Sequence, residues 1–216
     1  MTLPQKTLLG LLLSASLLAI WSAASAGWHD FQLMKPRAVV DSWRNGTPPG
    51  MKLWGITLEQ LKRAQARKPD DPQVAESLGY LFAYQAMRSR EIPELEQALL
   101  VEAIGYFRDA IRCRPMSPYP WGNLALALHK KNEAPEEMWA AFDHAMRYGQ
   151  REFGVQKQLA EIAFAHWGKA GYIRQGQMKE IVTSVQGYSY RMALLEIAEH
   201  NNVRGLLDDP LVGGDE

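Results

Sequence analysis

The chain lacks the features on which several classes of protein depend. It has one cysteine, Cys113, so it can form neither an intramolecular disulfide nor a metal site of several thiolates. It has no net charge, because 24 basic side chains balance 24 acidic ones, and this excludes a basic nucleic-acid footprint for the chain as a whole. Hydrophobic residues make up 47% of the 216 positions, which predicts a folded core rather than a disordered chain.

Motifs for catalysis and cofactor binding are also missing. No Gly-x-Ser-x-Gly, Walker-type or Gly-x-Gly-x-x-Gly string occurs, and no two of the five histidines have the i, i+4 spacing of a helical metal site. We therefore expect no cofactor, no metal site and no catalytic residue. Cys113 lies two residues before Pro115, at a position where we expect a buried and inert thiol. An enzyme acting on glycans through two distant carboxylates stays open as an alternative.

The N-terminal segment has the layout of an export signal. A basic start, ending at Lys6, precedes twenty uncharged residues from Thr7 to Ala26, and small residues close the run with Ala24-x-Ala26. Cleavage there would leave Gly27 as the new terminus. The same twenty residues are long enough to cross a bilayer core, which needs about 20 residues, so an uncleaved anchor is the other interpretation. Both interpretations export the remainder of the chain, to the periplasm or to the periplasmic face of the inner membrane.

The rest of the chain contains an internal repeat with an irregular period. Leu78 recurs as Leu124 after 46 residues, and Leu124 recurs as Leu159 after a further 35. A second series gives the same offsets, since Ala64 recurs as Ala110 and Ala110 as Ala145. Two independent markers with the same two offsets make coincidence a poor explanation. The longer unit carries its extra residues around positions 89–100.

These units resemble the tetratricopeptide repeat, a helix–turn–helix unit of 34 residues. Ala103, Phe107, Ala110 and Pro115 fit its spacing, as does the start of the next unit at Trp121. The resemblance implies an all-α fold of paired helices in a right-handed superhelix. Helices are predicted at roughly 36–44, 57–68, 72–88, 94–113, 118–131, 135–148, 152–167, 174–186 and 190–200, with Asp71 and Ser117 as caps and Gly149 and Gly168 as stops. The resulting division is 1–26 signal or anchor, 27–56 lead-in segment, 57–200 repeat domain and 201–216 polar tail.

In a stack of this kind the first helix of each pair lines the concave surface, which would therefore be the binding face. Its aromatic, amide and charged side chains would suit a peptide segment or a polar glycan, although an ordinary solvated helix face is the simpler interpretation. The ten candidate residues are Gln73, Glu76, Tyr80, Tyr84, Tyr119, Asn123, His129, Lys130, Lys157 and Glu161.

A stretch at 107–125 is more specific than a generic repeat. Together with residues 155–160, Trp43, Trp54 and Trp167, it resembles the VpsP-type family over about residues 36–200. Those are exported or membrane-anchored helical-repeat proteins linked to bacterial exopolysaccharide biosynthesis. The family has no established active site, so the resemblance implies a pathway rather than a reaction.

These observations predict a non-catalytic, periplasm-facing scaffold or adaptor in exopolysaccharide biosynthesis or export. Its expected partner is a protein of a polysaccharide synthesis or export complex, or a glycan, with the inner membrane as a further partner if the N-terminal segment is uncleaved. No nucleic-acid partner is expected. The alternative within the same fold is an envelope assembly factor for pili, secretion or outer-membrane proteins that binds a peptide segment.

Overall fold

The computed structural model describes residues 3–44 and 50–208, and the regular structure in these ranges is all-α. The chain divides into two compact units, Met1–Pro69 and Asp70–Glu216. The first contains α1 (Leu3–Arg44) and α2 (Met51–Arg67). The second contains α3 (Pro72–Arg88), α4 (Pro93–Cys113), α5 (Pro118–Lys131), α6 (Pro135–Gly149), α7 (Phe153–Ala165), α8 (Trp167–Ser184), α9 (Tyr188–His200) and α10 (Arg204–Asp208).

Helix α1 is apolar enough and long enough, over Gly10–Trp43, to cross a membrane. Its large apolar side chains from Leu11 to Trp28 are between 57% and 76% exposed, so no protein core covers them. Water disfavours such a contiguous apolar surface, and a bilayer favours it. By length and composition, α1 can therefore serve as a signal sequence or as a membrane anchor.

The C-terminal part of α1 packs against α2 within the first unit. Leu33, Val40 and Trp43 of α1 are buried, as is Leu61 of α2. The Arg67 guanidinium at the end of α2 donates a hydrogen bond to the side chain of Gln32 on α1. The C-terminal part of α1 is thus packed on α2, whereas its N-terminal apolar part is exposed.

Residues 36–44 are helical as predicted, but they form the end of the long helix α1 rather than a separate short helix. A glycine inside a helix costs only about 1 kcal/mol, so Gly27 does not interrupt it, and Pro36 is also accommodated inside it. Helix α2 begins at Met51 rather than at 57. Positions 45–49 of the predicted lead-in segment and the predicted tail after Asp208 lie outside the described residues, whereas α10 lies within the segment predicted as a tail.

Four helices of the second unit start with proline as the first helical residue, where the missing N–H would have no partner inside the helix. These are α3, α4, α5 and α6. Asp71 caps α3 as predicted, since its Oδ1 accepts hydrogen bonds from the Gln73 N–H at 3.0 Å and the Val74 N–H at 3.2 Å. Ser117 occupies the N-cap position of α5, but its side chain makes no capping hydrogen bond.

Neighbouring helices of the second unit pack in sequence order. Helix α3 packs on α4, α4 on α5, and α5 on α6, and α5 also contacts α7, which in turn contacts α8 and α9. The sequence markers lie at the centre of this packing: Leu78, Leu124, Leu159, Phe107 and Phe142 are each at most 2% exposed. The period detected in the sequence is thus the period of the buried positions.

The end of the predicted pattern differs from the structure. Gly168 was predicted to stop a helix, but α7 ends earlier, at Ala165, and Gly168 lies inside α8. The interruption comes at Gly171 instead, which adopts φ 76° and ψ 155° inside α8. Only glycine enters this backbone region at low cost. The β-branched stretch at 181–185 is helical to Ser184, as expected.

The close contact between α3 and α4 gives a first prediction. A Cβ on Gly79 of α3 would lie 2.5 Å from Cε1 of the buried Phe107 ring on α4, whereas a Cβ on Gly105 would have no heavy atom within 4 Å. Gly79→Ala should therefore lower the free energy of unfolding by about 1–3 kcal/mol through overpacking. Gly105→Ala should raise it by about 0.5–1 kcal/mol, because alanine is the better helix former.

Urea unfolding of the two variants and the wild type measures both effects. Stabilisation by both substitutions would contradict the packing of α3 on α4.

Candidate functional site

A cavity of about 110 Å³ lies within the second unit. Its walls are largely apolar and come from α3, α4, α5 and α7. The lining residues are Tyr80, Ala83, Tyr84, Ala86, Met87, Glu96, Leu100, Phe107, Asn123, Leu126, Ala127, Lys130, Gln158 and Glu161. Five of the ten residues predicted for the binding face line this cavity, namely Tyr80, Tyr84, Asn123, Lys130 and Glu161.

The cavity exists because α3 and α5 approach each other over only a short stretch, whereas α5 and α7 contact each other extensively. The long first repeat unit accounts for the difference. Its extra residues form the turn after α3 and the first turns of α4, which is a helix of 21 residues where α6 has 15. Glu96 and Leu100 belong to this extension and line the cavity.

Polar side chains form one edge of the cavity and join α5 to α7. The Gln158 Nε2 donates a hydrogen bond to the Asn123 Oδ1 at 2.5 Å, and the Lys130 ammonium forms an ion pair with Glu161. On the opposite wall the rings of Tyr80 and Tyr84 stack with centroids 6.3 Å apart. The arrangement combines an apolar recess with donors and acceptors at its rim.

The other five predicted residues lie away from this cavity. Gln73 lies in the first turn of α3 and Lys157 on α7, both exposed, and Glu76 is half-buried on α3. The Tyr119 hydroxyl donates to the Glu152 carboxylate at 2.6 Å. His129 contacts His166, with 2.9 Å between Nδ1 and Nε2. The predicted face is therefore divided among several local environments.

The histidine pair is held in its neutral form. Burial lowers the pKa of His129 to about 4, and the neighbouring charges of Lys130 and then His166 act in the same direction, opposed by Glu161. Burial also lowers the pKa of His166, with a further contribution from Lys169. Two neutral rings can share one hydrogen bond, in which one nitrogen donates and the other accepts.

Two polar cavity residues, Gln158 and Glu96, escaped the sequence analysis. Gln158 lies 35 residues after Asn123, which is the offset already found in the repeat, so projecting that offset onto Asn123 would have found it. Glu96 carried no such signal, because it lies in the extension that has no counterpart in the second unit.

The prediction of a buried thiol was wrong. Cys113 is exposed at the end of α4, because the helix stops there and the following residues are exposed too. The aromatic side chains on the helix faces are buried to different degrees. Phe107 and Phe142 are buried, but Trp121, Trp139 and Trp167 are only half-buried. Trp121 illustrates the reason, since its Nε1–H donates to the Pro115 carbonyl at 2.8 Å near the surface.

Comparison with protein-family models and with curated sequences adds no information about this cavity. The chain matches no protein-family model and no curated protein sequence. Within the described ranges, no group of three or more histidine, cysteine or acidic side chains is placed to hold a metal ion.

The histidine pair gives a second prediction. The pKa of His129 is lower in the folded state than in the unfolded chain, where it lies near 6.5. The neutral ring therefore contributes stability above pH 6.5, and this contribution is lost as the pH falls towards about 4. Solvent reaches part of the ring, so we expect a loss of about 1 kcal/mol between pH 6.5 and 4.5. His129→Gln should reduce this pH dependence.

The measurement is the free energy of unfolding at several pH values. His200→Gln, at the exposed end of α9 and outside the pair, is the matched control for the loss of an imidazole, and the profile of His129→Gln is compared with its profile. Identical profiles for all three proteins would show that the histidine pair does not titrate as described.

Proposed function

We propose that this chain is a non-catalytic, membrane-anchored scaffold of tetratricopeptide-like helix pairs, which binds a segment of a partner protein at the cavity between α3 and α5. The observation that carries the proposal is the cavity itself, an apolar recess bordered by tyrosines, an amide pair and an ion pair. Stacked helix pairs commonly use such surfaces for binding.

The spacing of side-chain contacts supports the repeat interpretation. Links between successive helix pairs join residues 29 to 37 positions apart: Arg108 with Glu137, Lys130 with Glu161, Asp143 with Arg174, Tyr119 with Glu152, Asn123 with Gln158, and His129 with His166. These separations bracket the 34-residue unit of the tetratricopeptide repeat. A right-handed superhelix is the arrangement that such repeats adopt.

The size of the cavity favours one apolar side chain of the partner. An engineered cavity of about 150 Å³ in another protein binds benzene, so a recess of about 110 Å³ suits a leucine, isoleucine or valine side chain. The amide pair of Asn123 and Gln158 and the nearby charges then face the backbone of the bound segment. Burying one such side chain is worth roughly 1.5–3 kcal/mol, which makes it an anchor rather than the whole interface.

Helix α1 supplies the tether in this proposal. It remains one helix through Ala26 to Arg44, and its C-terminal part is packed on α2, which favours a retained anchor over a cleaved signal. The positive start of the chain then stays inside, and the folded domain lies on the periplasmic side. The resemblance to the VpsP-type family makes a membrane protein of exopolysaccharide synthesis or export the expected partner.

Site-specific crosslinking tests the proposal in the native envelope. A photoreactive amino acid replaces Met87, which lines the cavity and is 44% exposed, and in a second variant it replaces Val101, which is 53% exposed on α4. Irradiation should join the Met87 variant to one partner, identified by mass spectrometry as a component of polysaccharide synthesis or export. The Val101 variant should not form this adduct. The intact mass of the recovered chain should include residues 1–26.

A filled cavity provides the matched control. Ala83→Leu places a larger, branched side chain in the recess and should abolish the adduct. Ala98→Leu makes the same change at an exposed position of α4 and should preserve the adduct. An adduct with a pilus, secretion or outer-membrane component would assign the alternative assembly role. Equal adducts from both photoreactive positions, or insensitivity to Ala83→Leu, would overturn binding at the cavity.

A further inference from the structure

A second and larger recess lies at the other end of the helix stack. It has a volume of about 740 Å³ and lies among the end of α6, the start of α7, the end of α8 and the start of α9. Glutamine side chains and two rings dominate its walls, namely Gln150, Gln156, Gln177, Gln186, Phe153 and Tyr190. We call it the glutamine groove. Its volume falls in the range of about 300–1,000 Å³ typical of small-molecule sites.

The groove exists because α8 packs on α7 and α9 and is joined to α6 by polar side chains. The Arg174 guanidinium of α8 donates two hydrogen bonds of 2.7 Å to the Asp143 carboxylate of α6, and it lies 4.6 Å above the Trp139 ring. Next to this bridge, a recess of about 510 Å³ shares Gln150 and Gln177 with the groove and reaches the break at Gly171. The polar bridge and the break leave the space between α6 and α8 open.

Gln156 is the most informative residue of the groove. Its side chain is only 7% exposed, and its Nε2 donates a hydrogen bond to the Gln150 carbonyl at 2.6 Å. Its Oε1 is buried in the groove wall and accepts no hydrogen bond from the described residues. Leaving a buried acceptor without a donor costs about 1–3 kcal/mol, so a ligand that donates here would recover this energy.

The two rings form an apolar platform beside the amides. Phe153 and Tyr190 stack with their centroids 4.2 Å apart and an angle of 29° between their planes. Tyr190 is 51% exposed, so one part of this platform remains accessible to a ligand. An accessible aromatic face next to amides offers both apolar contact and directed hydrogen bonds.

The charges of the groove balance each other, because Arg151 and Glu180 are the charged side chains that line it. A strongly anionic or cationic ligand would thus find a repelling partner as well as an attracting one. Each glutamine offers both donors and an acceptor, which matches a hydroxyl group that also donates and accepts. From this chemistry we propose that the glutamine groove binds a neutral saccharide, with hydroxyls on the glutamines, including Gln156, and the apolar face of a sugar ring on Tyr190.

This site is separate from the cavity between α3 and α5. Gln156 lines the groove and Gln158 lines the cavity, and two positions on a helix differ by about 200° around its axis. A scaffold with both sites can hold a protein partner at one surface and a sugar chain at the other. The groove is formed by side chains that do not line the cavity, so a failure of saccharide binding would leave the cavity proposal unchanged.

Calorimetric titration of the full chain with neutral trisaccharides tests the proposal. The probes are maltotriose, cellotriose and N,N′,N″-triacetylchitotriose, and the detergent is an amine oxide, because sugar-headed detergents would compete for the groove. We expect saturable binding of at least one trisaccharide, weakened at least tenfold by Gln177→Ala with Gln186→Ala and by Tyr190→Ala. Gln97→Ala, a half-buried glutamine of α4 outside both sites, should bind as the wild type does.

Gln156→Leu adds a second readout, because it removes the buried acceptor while keeping a similar volume. The variant also loses the hydrogen bond from Gln156 Nε2 to the Gln150 carbonyl, and this cost opposes the gain from removing the unpaired acceptor. Binding should therefore weaken while the thermal midpoint of the unliganded protein changes little. The absence of binding by all three trisaccharides, or binding unchanged in the groove variants, would overturn the proposal. Binding of an acidic oligosaccharide alone would overturn it too, since the balanced charges predict a neutral ligand.

Discussion

The parallel arrangement of α5 and α7 is the constraint on which the rest of the second unit depends. Side-chain links run along the two helices in the same order, from Tyr119 with Glu152, through Asn123 with Gln158, to Lys130 with Glu161. The buried Leu124 and Leu159, one repeat apart, belong to the same two helices. These links fix the direction of α7 relative to α5 and the register between the two helices. The intervening helix α6 therefore runs antiparallel to both, as the second member of a helix pair.

Departures from this regular stacking produce both candidate sites. At the start of the unit, α3 and α5 approach each other over only a short stretch, and an apolar recess lies beside them and the extended α4. At the end, the glycine break in α8 and the Arg174–Asp143 bridge leave a polar groove beside α6. The two differ in chemistry because aliphatic and tyrosine side chains line the first, whereas glutamines line the second. An irregular repeat thus provides two different surfaces on one scaffold.

Much of this fold follows from the sequence, because burial and backbone preference act locally. The recurrence of Leu78, Leu124 and Leu159 predicts positions that are buried, and the prolines at 72, 118 and 135 predict helix starts that the structure confirms. The break at Gly171 was not predicted, since Gly168 nearby offers the same signal and only packing decides between them. Nor did the sequence predict the groove, whose glutamines come from the turn after α6, from α7 and α8, and from the segment before α9.

The candidate cavity was predicted only in part, because the repeat predicts which helix face a residue lies on but not which residues share a pocket. Projecting the repeat onto one helix face finds Tyr80, Tyr84, Asn123, Lys130 and Glu161, which share the cavity. It also selects Lys157 and Gln73, which lie elsewhere, because a helix face is wider than a pocket. Glu96 and Leu100 lie in an insertion that has no equivalent in the next repeat unit, so projecting the repeat could not find them.

Cysteine crosslinking tests the parallel register of α5 and α7 most directly. In a Cys113→Ser background, the pair Asn123→Cys and Gln158→Cys is treated with a short bismaleimide, and the pair Asn123→Cys and Gln156→Cys serves as the control. The account predicts rapid crosslinking of the first pair and little of the second, because Gln158 faces Asn123 at hydrogen-bond distance and Gln156 faces the groove. Equal crosslinking of both pairs, or faster crosslinking of the control, would contradict it.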